Sequence, residues 1–294
     1  MQLGEPSRTA RAAAFLRAAH QVLEQGRIFA DPLAVRILGE DADAIAREAE
    51  ARPSSRRMRF FIAVRTRFAE DALAASVERG VSQLVVLGAG LDTYAYRGSL
   101  RDRLRVFEVD HPDTQGWKRR RLADAAIPLP ATLTFAPVDF ERQTLAEGLA
   151  AAGFDPAQPT FFTWLGVVPY LTDDAVWSTL GFIANLPHGA HVVFDYGDPP
   201  DSLSPEARDR HERGAAHVAG LGEPWVNYFE PDSLHARMRD LGFFEIEDLG
   251  PREILSRYFP QRAAAAPDRG GHVLHAATSN ARPAGRLQKE QPAE

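Results

Sequence analysis

The chain has 294 residues, 45% apolar and 25% charged, enough to bury a large core in one main domain with an appendage. A net charge of −6 offers no field for a nucleic-acid backbone, and the lack of cysteine excludes disulfides, thiolate nucleophiles and Cys-ligated zinc. The N-terminus has no continuous apolar core and no run approaches the length of a membrane span, so a soluble, cytoplasmic protein with no membrane partner is expected.

Residues 8–50 mix Ala, Leu, Ile and charges at helical spacing around a break at Asp31-Pro32, which predicts an N-terminal helical cap over residues 1–55. In "RPSSRRMRFFIAVRTR", residues 52–67, arginines surround an FFI patch, and one helix is expected from about Arg56 to Arg79. The simplest reading of these arginines is a solvated basic face; the alternative turns one inward to an anionic ligand.

A main domain over residues 56–280 then alternates short apolar runs with helical segments. The runs at 83–87, 105–109, 132–138, 160–164 and 190–196 read as buried parallel strands, and the segments 112–125, 141–152 and 172–186 read as helices between them. Thr172 is suited to cap the last of these, with Asp173 and Asp174 in its first turn. This order implies an α/β fold, a mostly parallel sheet with helices on both faces. Residues 198–231 open on "GDPPDSLSPEARDR" and read as an insertion over the ligand edge of the sheet. A helix at 232–242, strand FFEIEDL, a loop and strand HVLHAAT follow, and the Pro-, Gly- and charge-rich residues 281–294 are expected to be a disordered tail.

The stretch "QLVVLGAGLDT" carries the chemistry. A strand that ends in Gly-x-Gly brings backbone N–H groups close to a ligand, because glycine has no Cβ to keep it away. An acidic residue at the end of the next strand can hold ribose hydroxyls; Asp110 stands twenty residues beyond Gly90, with Glu108 the less favoured alternative. A dinucleotide fingerprint requires a third small residue for helix packing beside a pyrophosphate, and Leu91, Asp92, Thr93 and Tyr94 do not provide it. The third strand ends at Asp139 and Phe140. Three strand ends thus converge on an adenosine-like ligand.

Together, "VVLGAGLDTYAYR", "VFEVDHPDTQGWKRRRL", "VDF" and "WLGVVPYLT" resemble the S-adenosylmethionine-dependent methyltransferases of the leucine carboxyl methyltransferase family, including bacterial members similar to polyketide O-methyltransferases. The resemblance implies a class I, Rossmann-like methyltransferase fold of seven strands, the last antiparallel, with S-adenosylmethionine across the strand ends. It implies that Gly88 and Gly90 line the methionine part, Asp110 holds the ribose, and Asp139 and Phe140 border the adenine. An arginine before the first strand would reach the cofactor carboxylate; Arg65 matches best and Arg67 second, and a guanidinium fork suits a carboxylate. Two positions depart from the family's pattern: Leu165 stands where many members have an acid, and Tyr94 where many have an arginine.

Methyl transfer from a sulfonium is an in-line displacement, so the protein must hold the nucleophile near the methyl carbon and exclude water. A carboxylate acceptor requires no base, whereas a hydroxyl usually does, and no residue announces itself in that role. His111, next to Asp110, is a weak candidate against a capping role, and His191 reads as structural. Tyr170, Asp195 and Tyr196 lie at strand ends as substrate candidates, and Trp225 and Tyr228, with Phe229, form an aromatic group that suits an apolar pocket. His272 and His275 point to opposite faces of a strand, so no metal is expected. The expected activity is O-methylation of a small-molecule carboxylate or hydroxyl. Two other classes stay open: an NAD-dependent oxidoreductase on the same kind of sheet, and a non-catalytic S-adenosylmethionine-binding protein.

Overall fold

The computed structural model describes residues 7–140 and 142–278; the expected tail at 281–294 lies outside them. In chain order the elements are α1 (Arg8–Glu24), α2 (Ala34–Leu38), α3 (Ala42–Glu50), α4 (Arg56–Glu78), β1 (Gln83–Leu87), α5 (Tyr94–Arg97), β2 (Arg105–Asp110), α6 (Pro112–Asp124), β3 (Leu133–Pro137) and α7 (Leu145–Ala151). They continue as β4 (Thr160–Trp164), α8 (Asp173–Ala184), β5 (Ala190–Gly197), α9 (Pro205–Gly220), α10 (Pro231–Asp240), β6 (Phe243–Leu249), α11 (Pro251–Tyr258) and β7 (Gly271–Thr278). The strands form one sheet in the order β3-β2-β1-β4-β5-β7-β6. The pairs from β3 through β5 are parallel, and β7 runs antiparallel to both β5 and β6.

All five residues of β1 are buried, as a central strand covered on both faces requires. Its side chains alternate: Leu84 and Val86 join Val64, Phe68 and Leu73 of α4, while Val85 and Leu87 join Leu149 of α7 and Leu180 of α8. Phe107, Phe161, Phe162 and Phe194 are 0% exposed, and each such side chain contributes about 1.5–3 kcal/mol of burial. The N-terminal helices belong to the α4 face, since Ala14, Ala18, Ile37 and Ile45 share its core.

Local chemistry sets several helix starts. Thr172 accepts the Ala175 N–H at the start of α8, as expected. The predicted helix at 141–152 begins later, at Leu145, because Thr144 and Glu147 form a capping box that fixes the first turn there. The loop expected between β6 and β7 holds a helix, α11, with Pro251 at its first position.

A buried charge cluster joins the cap to the sheet. The Asp31 carboxylate lies 2.8 Å from Arg17, 3.3 Å from Arg97 and 2.7 Å from the Thr93 hydroxyl that donates to it. Arg97 also pairs with Glu70 of α4. These contacts hold the turn after β1 from three directions, and its path is therefore set by residues remote in sequence.

Candidate functional site

After β1 the chain turns through Gly88 and Gly90, whose φ angles are +63° and +44°. A Cβ on Gly88 would lie 2.3 Å from Val167, and one on Gly90 3.0 Å from Ala10. Left-handed backbone and lack of room both call for glycine here. Asp110, at the end of β2, accepts the N–H of Gly90 at 2.6 Å and that of His111 at 2.7 Å. Burial pushes its carboxyl above the usual range, against the pull of those two hydrogen bonds.

Glu108, the alternative to Asp110, points inward and is only 1% exposed. It lies 2.7 Å from Lys118 and accepts from the Tyr96 hydroxyl at 3.2 Å. Burial raises its carboxyl to about 7 despite the lysine. Asp110 is therefore the acid presented at the strand end. His111 is the N-cap of α6, its ring accepting the Asp113 N–H at 3.2 Å, which is the capping role weighed against a base. After β3, Asp139 lies 3.3 Å from Arg142, and the Phe140 ring is 58% exposed.

The arginine cluster of α4 divides. Arg67 is half-exposed and pairs with Asp71 one turn along, on the outer face, so the second choice for the inward arginine is wrong in direction. Arg59, read as part of a solvated face, is 5% exposed and bidentate to Glu24 of α1. Arg65 turns inward to the strand ends: Nη1 donates to Asp195 of β5 at 2.7 Å, and its guanidinium lies where a Cβ on Gly166, at 2.6 Å, would collide. Asp195 also accepts the Gly166 N–H at 2.6 Å, joining β4, β5 and α4. Among the described residues the buried Arg65 Nε has no hydrogen-bond partner.

The insertion returns along the same edge. Val226 and Asn227 donate to the Pro169 carbonyl at 2.8 and 3.2 Å, and Phe229 donates to the Gly197 carbonyl at 3.0 Å. This seats Trp225 against Tyr170, whose hydroxyl meets both Trp225 and Thr9 and whose acidity burial reduces. Tyr228 packs beside Gly197. Tyr196 is a correction: it is 2% exposed, on the opposite face from Asp195, and its hydroxyl donates to Asp248 at 2.5 Å, so it lines no opening. Adjacent residues of a strand face opposite ways, and only Asp195 points toward Arg65.

Sequence reasoning missed two features. Glu223 accepts from Ser7 Oγ at 3.0 Å, from the Arg8 N–H at 3.1 Å and from the Thr9 hydroxyl, which draws the start of α1 over the glycine turn. Asp198 and Asp248 flank His272, at 3.2 and 3.1 Å, while Arg269 bridges Asp198 and Glu230 at the two ends of the insertion. Only the Pro-rich start of the insertion signalled that a junction lay there; partners 74 residues apart leave no local pattern. A groove of about 1310 Å³ opens elsewhere, lined by Phe60, Phe68, Phe244 and Tyr258 among others, and contains none of the residues above that follow the parallel strands.

The leucine carboxyl methyltransferase family model matches residues 10–184. The chain belongs to that family. It is 34% identical over 67% of its length to a Bacillus subtilis protein provisionally named as the S-adenosyl-L-methionine-dependent methyltransferase YktD, covering 66% of that protein. A Mycolicibacterium smegmatis protein with the same kind of provisional name is 32% identical over 76% of this chain and 68% of its own. The matched stretches thus span about two thirds of these relatives. A Thermobifida fusca crystal structure, provisionally named a methyltransferase, shares the fold, with a TM-score of 0.56, 17% identity, and 94% and 96% of the two chains covered. The Bacillus subtilis and Mycolicibacterium smegmatis relatives are both named as S-adenosyl-L-methionine-dependent. The seven-stranded class I architecture expected from the sequence is the one observed.

Proposed function

We propose that this family member transfers a methyl group from S-adenosylmethionine to an oxygen, carboxylate or hydroxyl, of a small molecule. The observation that carries the cofactor geometry is Arg65: a buried guanidinium, held by Asp195 across Gly166, with an Nε that has no partner among the described residues. Such an edge suits the α-carboxylate of an amino-acid moiety. The glycine turn would take the methionine chain, Asp110 the ribose hydroxyls, and Asp139 with Phe140 the adenine.

Each role follows from chemistry at the position. Asp110 has lone pairs beyond the two that accept backbone N–H groups, so it can receive ribose hydroxyls while it continues to hold the turn. Phe140 offers an exposed ring face for an adenine. Arg65 would fix the cofactor from the α4 side, and the insertion with the start of α1 would exclude water. When bound, the cofactor supplies an activated methyl group. Tyr170, Trp225 and Tyr228 would receive the acceptor next to it.

The test compares thermal shifts with S-adenosylmethionine, S-adenosylhomocysteine and NADH, followed by calorimetry. Ligand at a hundred times its dissociation constant stabilises the fold by about 2.7 kcal/mol. A shift with either sulfur compound and none with NADH is expected, and a shift with NADH alone overturns the reading. Labelled methyl recovered in product then separates the chemistries: mild base releases it from an ester and leaves it in an ether.

A further inference from the structure

We infer that Tyr170, Trp225, His211 and Tyr228 form the acceptor subsite, that it takes a hydroxyl carried on an aromatic ring, and that His211 receives the hydroxyl's proton by way of Tyr228. This deepens the oxygen-methylation reading and rests on it.

The row is continuous. The His211 ring of α9 lies on Trp225 with centroids 5.4 Å apart and planes tilted by 31°. Its Nε2 is 3.0 Å from the Tyr228 hydroxyl, with the two rings edge to face at 5.2 Å. Trp225 leads on to Tyr170, which feels the charge of Arg65. One glycine makes room for the row. A Cβ on Gly214, almost one turn beyond His211, would press to 3.1 Å of the Trp225 ring, while Tyr228 is in ordinary contact range of Gly197. Because Val226 and Asn227 are bonded to Pro169, in the loop after β4, and Phe229 to Gly197 at the end of β5, the row stands at the edge where Arg65 turns inward.

The chemistry of the row selects the acceptor. Its polar groups are one imidazole, two phenolic hydroxyls and one indole N–H, none of which is a fixed cation that would pair a carboxylate. An aromatic ring can pack against the edge of such a row. Tyr228 already seats an aryl hydroxyl on the His211 nitrogen, so an acceptor hydroxyl reaches His211 through the Tyr228 oxygen. Burial lowers the His211 pKa, with neighbouring Glu212 pulling the other way, so the ring is neutral near pH 7 and its Nε2 can take the proton of the Tyr228 hydroxyl.

The step balances. The proton of the acceptor hydroxyl moves to the Tyr228 oxygen as the Tyr228 proton passes to His211 Nε2, and the resulting aryl oxide uses a lone pair to form the O–CH3 bond. The S–CH3 bond breaks with its pair returning to sulfur, sulfonium and oxide charges cancel, and His211 releases the proton to solvent.

The experiment titrates 4-nitrophenol into the full chain saturated with S-adenosylhomocysteine, at mildly acid pH, reading the visible band of the ionised phenol. Wild type is expected to bind the phenol and ionise it, with 4-nitrobenzoate and 4-nitroanisole binding at least tenfold more weakly. His211→Gln should lose the ionised band and at least tenfold in phenol affinity, with circular dichroism and S-adenosylhomocysteine affinity as controls for fold. Equal ionisation by His211→Gln, equal binding of the benzoate, or no phenol binding by a protein that binds S-adenosylhomocysteine overturns the subsite. Failure to bind S-adenosylhomocysteine overturns instead the cofactor reading beneath it.

Discussion

Arg65 and Asp195, 130 residues apart, meet in a buried ion pair at 2.7 Å, and the same carboxylate receives the Gly166 N–H at 2.6 Å. One acid therefore aims the guanidinium and ties the loop after β4 to β5. Arg65→Ala should weaken S-adenosylmethionine binding at least tenfold by calorimetry, and Asp195→Asn by a smaller factor, since an amide still accepts from Gly166 but attracts the arginine less. Arg67→Ala should change affinity less than twofold, because its partner Asp71 is on the outer face. Equal effects at 65 and 67 would mean that the inward direction of Arg65 carries no binding.

Asp110→Ala removes both the proposed ribose acceptor and the tie to Gly90. A loss of at least tenfold in S-adenosylmethionine affinity is expected, in line with about 1.5–3 kcal/mol for a charge-assisted hydrogen bond. Unchanged affinity in a folded variant would remove Asp110 from the site.

Asp31 predicts stability. Its side chain is fully buried among Arg17, Arg97 and the Thr93 hydroxyl. Asp31→Ala leaves two buried guanidinium groups without their shared anion, a loss of about 3–5 kcal/mol. Urea unfolding would measure it, and a loss below about 1 kcal/mol would show that the cluster contributes little. Arg59→Ala should destabilise for the same reason, through Glu24, rather than act as a surface change.

The histidines predict a stability optimum in pH. Burial disfavours the charged form of His272, but its hydrogen bonds to Asp198 and Asp248 outweigh that and raise it to about 9. Folded pKa above unfolded means a contribution complete below about 6.5 and lost as pH climbs toward 9. His191 and His275, stacked on each other and buried, are lowered to about 3 and 4 by desolvation first. The unfolded chain binds those protons more readily, so stability falls as pH drops below about 6.5. Thermal melts of His272→Gln should lose most of the alkaline slope, and His275→Phe part of the acid slope.

Strand positions, the glycine turn and Asp110 were legible in the sequence because each is a local pattern: a buried apolar run, left-handed backbone, a fixed spacing across one βαβ unit. The cap of α8 was legible for the same reason. What the tertiary structure decided was direction and pairing. Five arginines crowd the first turns of α4, and only packing against β5 and α1 turned Arg65 and Arg59 inward while Arg67 stayed outside. Tyr196 and Asp195 are neighbours on one strand, yet the face that each takes decides which serves the strand ends. His211, Glu223 and the His272 cluster gave no local signal, since their partners come from residues as far as 216 positions away. Periodicity reports which residues are buried, and only the folded chain determines what they are buried against.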